Sequence, residues 1–330
     1  MRSPADASLY SYDFVARAKY MKSIAPWYEM PAIDCLKQAV LDNDAALLQQ
    51  AVKDGRAELL SDDFDNSPFR VACEVGSRHW VDFFLKHAVS MNRPSRRGVT
   101  PLMVACMHGH QKLAEHLVAL GVDIHAKSYD GMTTAMAACM GCLEDFSMRL
   151  LDLGVSAFQP LPHRESLLDL SLLFSQTLLA ERLIREAQAQ GEEFLRAQIN
   201  EPCSRGYTPF LTACGSGLED IALRLMEQGA DLNATNNRDE NALYITSVTK
   251  CEDSPLLVQA LIDAGLSPFS GSAWGGTALR AALTQGNMKT VKVLVKAGAL
   301  SALDGTELWI SCLSEPVQKL LKKLLSNNKA

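Results

Sequence analysis

The 330-residue chain is 48% hydrophobic and 21% charged, a balance that excludes a disordered chain and fits a folded one. Its formal net charge of −6, with an isoelectric point near 5.7 and no basic block, argues against duplex nucleic acid as a partner. No run reaches the ~18–20 apolar residues of a membrane span, and Met1 to Met30 hold no apolar run of secretory-signal length, so a cytoplasmic chain without a membrane partner is expected, other export routes staying open.

In chain order, residues 1–33 come first. They carry Tyr10, Tyr12, Phe14, Tyr20, Trp27 and Tyr28, which predicts a packed helical extension or cap rather than a partner-binding arm. From Asp34 onward a repeat sets in. Ser67-Pro68-Phe69-Arg70-Val71-Ala72 is followed 33 residues later by Thr100-Pro101-Leu102-Met103-Val104-Ala105, and 33 later again by Thr133-Thr134-Ala135-Met136-Ala137-Ala138. Thr208-Pro209-Phe210-Leu211-Thr212-Ala213 is a further good copy, and weaker ones begin at Asp34, Ser166, Asn241, Thr277 and Thr306. The steps between units are 33, 33, 33, 33, 42, 33, 36 and 29 residues.

Three further columns keep the same register. A Ser or Thr can accept the free N–H groups of a starting helix, and Pro suits the first helical turn. Nine residues on, Gly76, Gly109, Gly217 and Gly286 are placed to end that helix. Twenty-one residues on, Gly55, Gly121, Gly154, Gly229 and Gly298 are placed to end a second one. Helix C-termini favour a residue that accepts positive φ, which is the reason for glycine there. The position five after the Ser/Thr is small throughout: Ala39, Ala72, Ala105, Ala138, Ser171, Ala213, Thr246, Ala282 and Ser311.

Thr100-Pro101-Leu102-Met103-Val104-Ala105 is similar to the T-P-L-H-x-A signature of ankyrin repeats. With its columns repeated, the chain resembles the ankyrin-repeat family over residues 34–330, in about nine units. The resemblance implies an all-α solenoid of stacked helix pairs with short β-hairpin tips. One unit alone cannot bury its apolar face, so neighbours must stack. The fifth unit lacks the Thr-Pro pair and carries nine extra residues around Gly191. Leu178 to Ala189 is expected to lengthen its second helix, and Glu192 to Ile199 the loop that follows. The seventh unit inserts three residues near Cys251-Glu252-Asp253-Ser254-Pro255. Both insertions read as loop drift, or, for the fifth, as a bend or extra contact surface. Asp34-Cys35 opens the first unit in place of Thr-Pro, and the ninth unit is short, as terminal repeats tend to be.

Nine cysteines and seven histidines invite a search for chemistry. Cys73, Cys106, Cys139, Cys214 and Cys312 all lie six residues after the Ser/Thr, where the family places a buried small residue. They read as core thiols, about 10 Å from their counterparts in adjacent repeats and so too far apart for disulfides. Cys139 and Cys142 form a C-x-x-C without a second pair, a poor zinc signature. His108-Gly109-His110 and His116 suggest a metal site, but the resemblance makes Gly109-His110 a helix-joining brace and turns His108 towards the groove. Cys106 with His108 is no nucleophile pair if Cys106 is core. No Walker loop or nucleophile elbow is present. No catalytic residue, metal or cofactor is expected, and the chain reads as a monomeric, non-catalytic interaction module.

The family's variable positions lie four, three and one before the Ser/Thr, and seven and eight after it. Carried onto this sequence, the resemblance implies a partner-binding set of Phe64, Arg96, Arg97, Met107, His108, Tyr129, Met132, Arg205, Tyr207, Arg238 and Trp274. Aromatic residues, Met and Arg are enriched in interface cores and hot spots. Arg96, Arg97, Arg205 and Arg238 make a basic rim on an acidic chain, which fits a protein partner presenting carboxylates. The alternative is that single exposed aromatics are ordinary surface residues.

Overall fold

Ser67, Thr100 and Thr133 each stop an extended segment and start a helix. Their backbones are extended, with φ near −90° and ψ between 149° and 165°. Each side-chain oxygen accepts the N–H three residues on: Arg70 at 3.1 Å, Met103 at 3.3 Å and Met136 at 3.3 Å. A cap of this kind contributes about 1 kcal/mol. The computed structural model describes residues 32–53, 67–87, 89–158, 165–249, 253–269, 271, 276–302 and 313–327. Residues 1–31 of the expected N-terminal extension, Thr306, Phe64, Trp274 and Cys312 lie outside the described residues.

The chain divides into two units, Met1–Leu143 and Glu144–Ala330. The first holds α1 (Ala32–Asp42), α2 (Ala45–Lys53), α3 (Pro68–Glu74), α4 (Arg78–Lys86), α5 (Pro101–Met107), α6 (Gln111–Ala119) and α7 (Thr134–Met140). The leading helices α1, α3, α5 and α7 pack on one another in order, and α2, α4 and α6 pack on their own partners. Ala39, Ala72, Ala105 and Ala138 are buried where the leading helices meet, so no side chain holds the backbones apart. Trp80, Phe69 and Phe84 fill the core, Phe69 and Phe84 edge to face at 6.1 Å. Each fully buried side chain of this size contributes about 1.5–3 kcal/mol. Asp34, expected at a cap position, lies inside α1 instead. The Asp34-Cys35 pair has no proline to fix a helix start there.

The second unit runs α8 (Glu144–Asp152), α9 (Leu167–Leu173), α10 (Thr177–Ala189), α11 (Glu192–Asn200), α12 (Pro209–Ser216), α13 (Glu219–Glu227), α14 (Ala242–Val248), α15 (Pro255–Asp263), α16 (Ala278–Gln285), α17 (Met288–Lys296) and α18 (Glu315–Asn327). Leading helices α9, α12, α14 and α16 stack in order, as do the second helices α8 and α10, and α13, α15 and α17. Neighbouring repeats also cap one another. Glu144 accepts Leu179 N at 3.0 Å, and Glu219 accepts Leu257 N at 2.8 Å. Asp253, part of the seventh-unit insertion, accepts Lys289 N at 2.6 Å and Thr290 N at 2.9 Å. The insertion therefore supplies the cap of the next repeat's second helix, beyond loop drift.

Three expectations need adjustment. The segment Glu192 to Ile199 is helix α11 rather than a lengthened loop. Leu195 and Ile199, four apart, are both buried, and Glu192 and Glu193 sit in its first turn, which suits the helix dipole. Gly191, at φ 120°, separates it from α10, which runs to 13 residues as anticipated. The hairpin tips shrink to single bridges, Lys127 with Thr133, Thr235 with Asn241 and Gly271 with Thr277, and the described residues hold no sheet. The column nine after the Ser/Thr demands positive φ even without glycine: Asn43, Cys142 and Ser175 stand there at 58°, 58° and 55°. The rest is an all-α repeat fold of stacked helix pairs.

Candidate functional site

Four tips among the described residues are built on a buried residue five before the capping Thr or Asn. Ser95 N donates to Val99 O at 2.8 Å, and its Oγ accepts Arg97 N at 3.1 Å and Val99 N at 3.0 Å. Ser128 repeats the pattern with Met132, its Oγ also donating to Asp130. Asn236 does so in the second unit, its Oδ1 accepting Arg238 N at 2.8 Å and Glu240 N at 3.1 Å. Cys203 holds the same place, donating its N–H to Tyr207 O at 2.9 Å. Such side-chain bonds fix a turn that has too few backbone partners of its own. None of these four anchors was singled out from sequence, although the recurrence of Ser95, Ser128 and Asn236 at one offset is a readable signal.

Adjacent tips are then tied together. In the first unit Tyr129 N donates to Arg97 O at 2.9 Å. In the second, Asn237 N donates to Arg205 O at 3.1 Å and its Nδ2 to Ser204 O at 2.9 Å. Gly98 allows the first approach: at φ 79°, a Cβ there would lie 2.7 Å from Tyr129 N. With the backbone pinned, the side chains at these positions project from a rigid edge.

Within the first unit, Arg96 and Arg97 are exposed, and Tyr129 is 79% exposed, the most exposed large hydrophobic side chain among the described residues. Met107 and Met132 are half-buried. His108 is exposed, with Nδ1 donating to Val104 O at 2.9 Å. The structure therefore brings Arg97 and Tyr129 together and sets Met107 and His108 at the end of the neighbouring helix α5. His110 does not join them. Its Nε2 donates to Glu74 O of the preceding repeat at 2.6 Å, and its ring fills the space above Gly76. That is the brace expected of it.

Within the second unit, Arg205 and Arg238 are exposed and Tyr207 is half-buried. Arg205 lies over the Tyr207 ring, 5.9 Å from its centroid, and its Nη2 donates to Glu165 Oε1 at 3.2 Å. Glu165 carried no motif signal, and it means that Arg205 already holds a carboxylate. Behind it, burial pushes the Asp169 carboxyl up to about 6, against the lowering hydrogen bonds from Ser166. The inserted helix adds a separate cleft of about 380 Å³ on this unit, floored by Leu151, Val155, Phe158 and Phe194. Phe158 and Phe194 meet edge to face at 5.2 Å.

The thiols are placed for packing. Cys73, Cys106, Cys139 and Cys214 are fully buried, and burial pushes the Cys73 and Cys106 thiols up and that of Cys214 to about 12. Cys139 is buried and Cys142 exposed, so the C-x-x-C does not converge on one site. Among the described residues, no group of three or more His, Cys, Asp or Glu side chains is arranged to hold a metal ion. No described helix is long and apolar enough to cross a membrane.

Two family descriptions match the sequence: "Ankyrin repeats (3 copies)" over residues 36–128 and "Ankyrin repeat" over residues 205–234. No curated protein matches. Among solved structures, the human ASB11 ankyrin repeat domain is similar, with a TM-score of 0.52 and 21% identity, covering 70% of this chain and 97% of that one. At that identity the likeness concerns the fold.

Proposed function

From the premise that this chain is an ankyrin-repeat protein, we propose that it works as a non-catalytic adaptor, scaffold or inhibitor that holds a partner protein against its repeat tips. Ankyrin repeats are generally protein–protein interaction modules, and the narrower reading rests on the tips themselves. The observation that carries it is the Arg97–Tyr129 pair. A tyrosine left 79% exposed on a rigid edge, beside an arginine whose backbone it is bonded to, offers apolar area and charge at small entropic cost. Met107 and Met132 extend that surface with adaptable apolar side chains. Arg96, Arg97 and, in the second unit, Arg205 and Arg238 favour a partner rich in carboxylates. Phe64 and Trp274 belong to the same proposed set by position. We place the protein in the cytoplasm as a monomer that needs no cofactor.

The test is affinity capture from the native source with the wild type and an Arg97→Ala/Tyr129→Ala double variant side by side, followed by a titration of whatever protein is captured. Surface changes of this kind leave stability within about 0.5 kcal/mol, so the thermal transition should hold. The expected result is a partner whose affinity falls by about 30-fold or more in the double variant, the scale of one lost hot spot. Equal affinity for both proteins removes this tip from the binding site.

A further inference from the structure

The fifth repeat opens on a buried carboxyl group that its own cap does not fully satisfy. Asp169 is 4% exposed. Its Oδ2 accepts Ser166 N at 3.0 Å and Ser166 Oγ at 2.7 Å, while Oδ1 has no hydrogen-bond partner. A buried, ionised oxygen without a donor is costly, and a neutral carboxyl in the same place is far less so. Besides Ser166, two charged groups bear on it in opposite senses: Glu165 disfavours the anion and Arg205 favours it. Those two are themselves paired at 3.2 Å, and Arg205 covers Tyr207 at the exposed tip. Asp169 thus reaches the backbone of Ser166, next in sequence to Glu165, and the Glu165–Arg205 pair leads on to Tyr207 at the exposed tip.

We propose, resting on the reading that this tip meets a partner's carboxylates, that Asp169 takes up a proton as Arg205 leaves Glu165 for such a carboxylate, so that the tip holds carboxylates more tightly in mild acid than at neutral pH. The argument is Coulombic. Arg205 is the favourable charge acting on the Asp169 anion. Withdrawing it leaves Glu165 uncompensated beside the buried group, and both changes favour the neutral form. An event that raises a group's proton affinity is itself favoured by acid, because the linkage is reciprocal. The internal Glu165–Arg205 pair also acts as a built-in competitor that the partner displaces.

The linkage can be read on the free full-length chain, with Arg205→Ala standing in for the departed guanidinium. Aspartate carboxyl carbons are labelled with ¹³C and titrated by NMR, and the Asp169 signal is assigned by its loss in Asp169→Asn. The expected wild-type midpoint is about 6. It should rise in Arg205→Ala and return in Arg205→Lys, which restores the charge. A wild-type midpoint below about 5, near the ordinary carboxylate range, overturns the proposal. So do equal midpoints in the wild type and Arg205→Ala. Because no partner is present, either failure leaves the Arg97–Tyr129 binding test standing, and failure of that test leaves this one readable.

Discussion

The third and fourth repeats, from Thr100 to Cys142, and the fifth, from Ser166 to Asn200, solve one folding problem with different parts. In the former, a threonine cap starts the leading helix, and the fit between helix ends is backbone against backbone. In the latter, a capping box of Ser166 and Asp169 starts the helix, and a 13-residue helix is followed by an extra one. The regular repeats draw their stability from close approach and tolerate little there. The fifth repeat carries a buried carboxyl, so it should gain from a substitution in its cap where the regular repeats lose at their helix ends.

The sharpest way to break the comparison is Gly141→Ala. A Cβ at this position collides with the Cys106 carbonyl, a backbone atom that cannot swing aside. A loss of about 3 kcal/mol or more is expected by urea denaturation, larger than a surface alanine can produce. A loss below about 1 kcal/mol would mean that the two helix ends do not touch in solution.

Asp169→Asn should act in the opposite direction. The folded carboxyl sits near 6 against an ordinary value of 3.8, so the folded state binds more protons than the unfolded state between those limits. The stability contributed by its protonated form is full below about 3.8 and lost as the pH rises through about 6. Asparagine keeps an uncharged acceptor for Ser166. The variant should therefore match the wild type near pH 4 and exceed it by about 2 kcal/mol at pH 8, the gap opening between the two pKa values. A constant gap at all pH values would separate the stability effect from titration.

The smallest effect expected is at Ser175→Gly. A non-glycine residue at φ 55° carries about 1 kcal/mol of strain, and glycine gives back part of that relief through its freer unfolded chain. A net gain of about 0.5 kcal/mol in thermal or urea unfolding is expected, and Cys142→Gly should behave alike, since Cys142 occupies the equivalent place in the fourth repeat.

Much of this was legible in the residues. The Ser/Thr column fixed the helix starts because a side-chain oxygen three residues upstream is a local device, independent of the rest of the fold. The small column at Ala72, Ala105 and Ala138 announced helices in close contact, and Cys73, Cys106 and Cys214 followed as core because they lie one position further on. The positive-φ column was visible through its glycines and hidden at Cys142 and Ser175, since those residues reach that conformation only when the surroundings impose it. Helix α11 was misread as loop because Gly191 breaks the pattern, and two buried residues in nine are a faint periodicity.

The candidate site divides in the same way. The family resemblance nominated Arg97, Tyr129, Arg205 and Tyr207, because the repeat register gives each of its variable positions an address in this sequence. Only the tertiary structure brought Arg97 and Tyr129 into one backbone-bonded pair, gave Arg205 the carboxylate of Glu165, 40 residues away in sequence, and left one oxygen of Asp169 buried without a donor. Pairings between side chains and the solvation of a buried charge depend on what neighbouring repeats bring into contact, and no local pattern encodes that.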